Sequence, residues 1–220
     1  WIQQLMNNFN QKSLIIFDWD GTLMDSVGLI VDAMRYAAEK HGLTVTDEAT
    51  KSIIGIALVD AFPMLFPNDS DKYDELLATY SEYYVKHCDN DKLFDGIKEL
   101  IQDLHAQGKT LAIATGKKRK GLERVLPNSG IQAFFTTTKT ADETAGKPNP
   151  LMLQAILSET GKTVEDAVFV GDSIHDIRMA NAIQMDSIAV SYGCEKADVL
   201  AKEHPTKLVT TINELKQQLI

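Results

Sequence analysis

Short apolar or β-branched runs punctuate the chain at residues 14–17, 110–114, 134–138, 167–170, 187–190 and 208–209. Runs of this length and composition suit strands buried on both faces. Most are separated by segments whose apolar positions follow helical spacing. Ile97, Leu100, Ile101 and Leu104 fall at i, i+3, i+4 and i+7, and Gly108 predicts the end of that helix before the second strand. Residues 149–159 predict another helix, with Pro150 in its first turn and Gly161 beyond its end. Strand and helix in alternation predict an α/β chain, with a mainly parallel sheet covered on both faces and its chemistry at the strands' carboxyl ends.

One stretch breaks the rhythm. From residue 26 to 91 no strand pattern occurs, only helical periodicity such as Val27, Ile30, Val31, Met34 and Ala38. The expected organisation is therefore a core of residues 1–25 and 92–220 interrupted by a helical unit of residues 26–91. The polar run Cys88-Asp89-Asn90-Asp91 marks its return hinge. Such a unit leaves and re-enters the core beside the first strand, where a lid could exclude water. Asp25 and Ser26 fit the N-cap of its first helix.

The composition narrows the possibilities further. With 220 residues, 44% hydrophobic and 24% charged, the chain can bury a full core. A net charge of −9 argues against a partner that is nucleic acid or an acidic membrane surface. Cys88 and Cys194 are isolated, and the five histidines lack zinc-ligand spacing, so a cytoplasmic protein with free thiols is expected. No apolar run approaches about 18 residues, and residues 1–13 lack a signal-peptide core.

The first strand runs into Asp18-Trp19-Asp20-Gly21-Thr22. If strand geometry persists to its end, Asp18 and Asp20 face one small volume, and their repulsion would be relieved by a hard divalent cation. A solvated Asp-Gly turn is the plain alternative. Three further signals fall at strand ends or before helices: Ala114-Thr115-Gly116, Gly146-Lys147-Pro148, and Gly171-Asp172-Ser173-Ile174-His175-Asp176. A hydroxyl, an open backbone N–H and an ammonium suit phosphate oxygens, and Asp172 and Asp176 would be neighbours if the turn is helical. The run Lys117-Lys118-Arg119-Lys120 opposes the dipole of a helix beginning there. Lys117 is a candidate substrate neighbour; Lys118 and Lys120 are expected to be solvated. Two G-K-T tripeptides, at residues 108–110 and 161–163, are not phosphate-binding loops, because Asp103 and Ile156 stand where the first glycine is required.

Taken together and in this order, D-x-D-G-T, Thr-Gly, Gly-Lys-Pro and G-D-S-x-x-D resemble the haloacid-dehalogenase-like hydrolase superfamily over nearly the whole chain. DWDGTLMDS at 18–26, KPNP at 147–150 and Ser191-Tyr192-Gly193 look most similar to its phosphoglycolate-phosphatase-like branch. The resemblance implies a Rossmann-like parallel-sheet core with an inserted α-helical cap. It also implies a Mg²⁺-dependent phosphatase that hydrolyses a small organic phosphomonoester, phosphoglycolate first, through a phosphoaspartyl intermediate. Asp18 would be the nucleophile and a metal ligand, Asp20 the general acid and base with its backbone carbonyl on the metal, and Asp172 the second carboxylate ligand. Thr115, Gly116 and Lys147 would hold the phosphoryl group, with Lys117 as a further substrate contact and Asp176 as a supporting group. The partner implied is a small phosphorylated metabolite, handled by a monomer or weak homodimer. Two alternatives stand beside this reading. A hexose-phosphate mutase uses the same core residues, but the cap loop at 53–58 carries no Arg or Lys for a second phosphate. A non-enzymatic phospho-acceptor switch also uses Asp, Thr and Lys at strand ends, but has no need of Asp20 or a helical insertion.

Overall fold

The computed structural model describes residues 9–220; the part of the expected core at residues 1–8 lies outside it. Six strands form one sheet: β1 Leu14–Phe17, β2 Thr110–Thr115, β3 Thr137–Thr140, β4 Ala167–Gly171, β5 Asp186–Val190 and β6 Lys207–Val209. Their order is β3-β2-β1-β4-β5-β6, and every pairing is parallel. The third strand begins later than its apolar run predicts, because residues 132–134 close a short 3-10 turn and β3 starts at Thr137. β3 lies at the sheet's edge and is only part-buried, so its residues need not be apolar.

The helices are α1 Val27–Lys40, α2 Asp47–Ser52, α3 Leu58–Leu65, α4 Tyr73–His87, α5 Ile97–Ala106, α6 Arg119–Val125, α7 Leu151–Thr160, α8 Ile174–Asn181, α9 Ala197–Ala201 and α10 Ile212–Leu219. In α5 the four residues of the expected stripe, Ile97, Leu100, Ile101 and Leu104, are all fully buried. Pro150 is the N-cap of α7 rather than a residue within its first turn, and Gly161 closes that helix at φ +65°.

No strand forms between β1 and β2. Instead α1 packs along α4, with α2 against α1 and α3 against α4. The outgoing and returning chains run side by side: Asp25 N–H donates to the Lys92 carbonyl at 2.9 Å and Phe94 N–H to the Leu23 carbonyl at 3.1 Å. One continuous apolar cluster includes Ile15 and Phe17 of β1, Met34 of α1, Phe62 of α3 and Leu76 of α4. Cys88 and Cys194 are both buried free thiols. Among the described residues, no helix is long and apolar enough to cross a membrane.

The strand order reverses direction at β1, which has β2 on one side and β4 on the other. A crevice at the carboxyl ends of β1, β2 and β4 follows from that topology. Leu14, Ile15, Ile16 and Phe17 are completely buried, so this central strand has little freedom to adjust to a lost side chain. Ile16→Ala is expected to destabilise the protein by about 2–5 kcal/mol. Urea unfolding would show a lowered midpoint at an unchanged slope; an unchanged midpoint would contradict this account of β1.

Candidate active site

Three elements deliver buried charge to one point. β1 ends at Phe17, and the Asp18 N–H then donates to the Val170 carbonyl of β4 at 2.9 Å, fixing Asp18 at the sheet's end. β4 ends at Gly171, followed by Asp172 and by α8, which carries Asp176 in its first turn. Lys147 arrives from the loop between β3 and α7. Its Nζ lies 2.6 Å from Asp18 Oδ1 and 2.7 Å from Asp176 Oδ1, with all three side chains at most 1% exposed. These are close ion pairs rather than aligned hydrogen bonds, and among the described residues Asp18 Oδ2 has no hydrogen-bond partner.

Asp172 is held more completely. Its Oδ1 accepts from the Thr22 hydroxyl at 3.1 Å and its Oδ2 from the Cys194 N–H at 2.7 Å. Asp176 uses Oδ2 in a reciprocal cap with Ser173, leaving Oδ1 for Lys147. Glycines make room for this arrangement. A Cβ on Gly21, whose φ is +75°, would lie 2.0 Å from Asp172 Oδ2, and one on Gly193 would lie 2.2 Å from the same atom.

Asp18, Asp172 and Asp176 each offer a carboxylate oxygen within 4.8 Å of the others. Three buried carboxylates thus face one ammonium. Burial is the main cause that pushes Asp18 well above the usual carboxylate range; Lys147 acts in the opposite direction, and Asp176 and Asp172 add to the rise. Burial and then Asp176 raise Asp172 to about 7. Burial disfavours the Lys147 charge, but Asp176 and Asp18 outweigh it and the net shift is upward. An orphaned oxygen, an all-oxygen donor set and this excess of negative charge fit a hard divalent cation such as Mg²⁺.

Asp20 does not share that group. The strand has ended, and the turn through Gly21 directs the Asp20 carboxylate elsewhere, so the expected alternation with Asp18 is lost. Asp20 Oδ1 instead accepts from the Ser26 hydroxyl at 2.6 Å and lies 3.1 Å from Lys117 Nζ. Ser26 stands at the N-cap position of α1 but does not cap it; its hydroxyl is spent on Asp20. Lys117 also donates to the Tyr84 hydroxyl at 2.9 Å and sits 4.5 Å from the centre of that ring. Burial opposes the Lys117 charge, yet Asp20 and the two tyrosines, Tyr84 and Tyr80, raise its pKa overall. Burial lifts the Tyr84 phenol to about 12, against a smaller opposing effect of Lys117.

Thr115 ends β2, adjacent to β1, and Gly116 follows it. Thr115 is buried, and its hydroxyl accepts from the Lys117 N–H at 3.2 Å. The helical unit reaches over this end of the sheet. A Cβ on Gly116 would lie 2.3 Å from the Gly55 carbonyl oxygen, and His175 Nε2 is 3.0 Å from the Ser52 carbonyl. Lys118 and Lys120 are exposed, as expected. Ser26, Thr22, Tyr84 and the Cys194 N–H were not singled out as parts of this site by the spacing of charged residues; Gly193 was the one sequence signal for the last of them.

A family model for haloacid dehalogenase-like hydrolases matches residues 15–190. The chain belongs to this family. Among its curated relatives, the pyrophosphatase PpaX of Halalkalibacterium halodurans is 30% identical over 91% of this chain and 94% of its own length. The tyrosine-protein kinase PtkA of Mycobacterium tuberculosis is 30% identical over 94% of this chain and 72% of its own. A solved structure from Lactobacillus delbrueckii, provisionally named a phosphoglycolate phosphatase, superimposes with a TM-score of 0.85 at 24% identity, covering 96% of this chain and 99% of that one. It shares the fold.

The raised carboxylates give the metal-free protein a signed pH dependence. Asp172 keeps its proton in the folded state up to about pH 7, whereas the unfolded carboxyl loses it near its ordinary value of 3.8. The folded state therefore binds more protons across that window, so stability falls as pH rises through it. Thermal unfolding in chelator should show this decline, and Asp172→Asn should make it shallower, the remainder coming from Asp18. An equally steep decline in the variant would overturn the attribution.

Proposed function

We propose that the protein is a Mg²⁺-dependent phosphomonoesterase that works through a phosphoaspartyl intermediate on Asp18, with residues 1–25 and 92–220 as the catalytic core and residues 26–91 as a cap. The observation that carries this reading is the buried Asp18 carboxylate, paired with Lys147 and retaining an oxygen free of hydrogen bonds. Family membership, the phosphatase names borne by relatives such as the probable phosphatase IndB of Dickeya dadantii, and the hard-oxygen donor set all support it.

Asp18, Asp172 and the backbone carbonyl of Asp20 would hold the ion, which when bound offsets the charge of carboxylate and phosphate as they meet. Lys147 stays protonated between Asp18 and Asp176 and adds positive charge where the phosphoryl oxygens gather. An Asp18 oxygen forms a bond to phosphorus as the bond to the alcohol oxygen breaks. Asp20 gives the departing alkoxide its proton. In the second half, Asp20 takes a proton from water as the water oxygen bonds to phosphorus and Asp18 is released. Thr115 and Gly116 border the phosphoryl position at the end of β2, and Asp176 holds Lys147 in place. Lys117 serves Asp20 rather than the phosphoryl group, anchoring that carboxylate to Tyr84 of the cap. Phosphoglycolate, suggested by the sequence resemblance, is the first substrate to assay.

Asp18→Asn is expected to lower turnover of any phosphomonoester by at least roughly a thousandfold. Its melting temperature should not fall at neutral pH, because one of three like charges is removed. Near-normal turnover would refute the nucleophile. Asp20→Asn should slow alkyl phosphates by roughly 10²–10⁴-fold and aryl phosphates far less, since a phenolate leaves without a proton. Equal losses on both would refute the proton-transfer role. Chelation should silence the enzyme and added Mg²⁺ restore it; full activity in chelator would refute the metal requirement.

A further inference from the structure

Of the cationic run Lys117-Lys118-Arg119-Lys120, the proposed mechanism uses only Lys117. Arg119 opens α6, and Lys118 before it has no side-chain oxygen to cap the helix. An acidic pair in the loop after β3 supplies what is missing. Asp142 Oδ1 accepts from the Arg119 N–H at 2.8 Å. Glu143 takes the guanidinium on both oxygens, Oε1 from Nε at 3.1 Å and Oε2 from Nη2 at 2.6 Å. The same fork reaches Thr138 of β3, with Nη1 donating to its hydroxyl at 2.8 Å and Nη2 to its carbonyl at 2.9 Å. The Thr140 hydroxyl in turn lies 2.7 Å from Asp142 Oδ1 and 3.0 Å from Glu143 Oε2.

Both acids are held ionised. Burial opposes the Asp142 charge, but the Thr140 hydroxyl and then the Arg119 N–H outweigh it, and its pKa falls. The Arg119 guanidinium is the main cause that holds Glu143 below the usual carboxylate range. A lone exposed ion pair contributes little, whereas a two-pronged pair fastened to the main chain on both sides makes a rigid joint. That joint connects two loops of the candidate site. One runs from Thr115 through Gly116 and Lys117 to Arg119, and the other from Thr140 to Lys147. The Ala141 N–H crosses between them as well, donating to the Lys117 carbonyl at 3.0 Å. The first loop borders the phosphoryl position and carries the lysine beside Asp20; the second delivers the ammonium beside Asp18. Because β3 is an edge strand, the sheet steadies the second loop from one side only. A displacement of about 1 Å at such groups costs on the order of a hundredfold in rate.

We propose that Arg119, with Asp142 and Glu143, is a positioning residue that fixes Lys147 relative to Thr115 and Gly116, so that these donors meet the phosphoryl group together in the transition state. Arg119 acts through those residues and does not itself contact the phosphoryl group. The proposal rests on the phosphomonoesterase reading, so its test separates binding from hydrolysis. Kinetics with phenyl phosphate report turnover, and titrations with inorganic phosphate and with orthovanadate, which takes the five-coordinate geometry of phosphoryl transfer, report the site without it. All are run in Mg²⁺ below each variant's melting temperature. Arg119→Ala should lower kcat and weaken orthovanadate at least about tenfold, while KM and the affinity for phosphate change less than about threefold. Arg119→Lys, which keeps one ammonium for Glu143, should recover at least about threefold of that loss. Glu143→Gln added to Arg119→Ala should cost less than about twofold more, because both act through one joint. Unchanged kcat and orthovanadate affinity in Arg119→Ala, a rise in KM alone, or independent losses in the double variant would overturn the clamp. Normal hydrolysis by Arg119→Ala would overturn it and leave the phosphatase intact. Weakened orthovanadate binding in Arg119→Ala, with no hydrolysis even by the unaltered protein, would support the clamp and overturn the phosphatase. Neither hydrolysis nor orthovanadate binding by the unaltered protein would overturn both.

Discussion

Everything at the carboxyl end of the sheet is organised around an imbalance of charge. Asp18, Asp172 and Asp176 are buried together with Lys147 as their one ammonium partner, in a place from which water is nearly excluded. Such a cluster is costly in isolation, since burial alone disfavours every charge in it. The sheet supplies the rigidity that makes the arrangement possible. β1 and β4 are bonded in register up to Phe17 and Val170, so the two loops carrying Asp18 and Asp172 leave from adjacent positions. The excess of negative charge in the cluster would be relieved by added positive charge.

The second carboxylate of the opening motif is kept apart from this cluster, and the separation is chemically useful. On the proposed mechanism Asp20 alternately gives and takes a proton, a task that a permanently ionised ligand could not perform. Asp20 is attached instead to Ser26 at the start of α1, and through Lys117 to Tyr84 near the end of α4. Both α1 and α4 belong to the helical unit, so the Asp20 carboxylate is tied to that unit.

Much of this was legible in the sequence because it depends on local pattern. Apolar runs before Asp18, Thr115 and Asp172 marked the three strands that matter, and the fully buried stripe of α5 followed its spacing. Strand β3 was misplaced because an edge strand lacks the apolar signature of central ones. The shared orientation expected of Asp18 and Asp20 failed for a related reason: alternation holds only while pairing continues, and β1 stops at Phe17. Serine before a helix usually caps it, yet at Ser26 a buried carboxylate nearby competes for the hydroxyl more strongly than a backbone N–H does. The contacts of Lys117 with Tyr84, 33 positions away, and of Asp172 with the Cys194 N–H, 22 away, are products of tertiary folding that spacing does not encode.

The spacing between cap and sheet is set where Gly116 meets the carbonyl of Gly55, main chain against main chain, with no room for a methyl group. A gap measured by backbone is insensitive to the side chains beside it. On the proposed reading, conservative apolar changes at residues 53, 54, 56 and 58 would reshape the wall beside the site while the main-chain contact between Gly55 and Gly116 stayed in place.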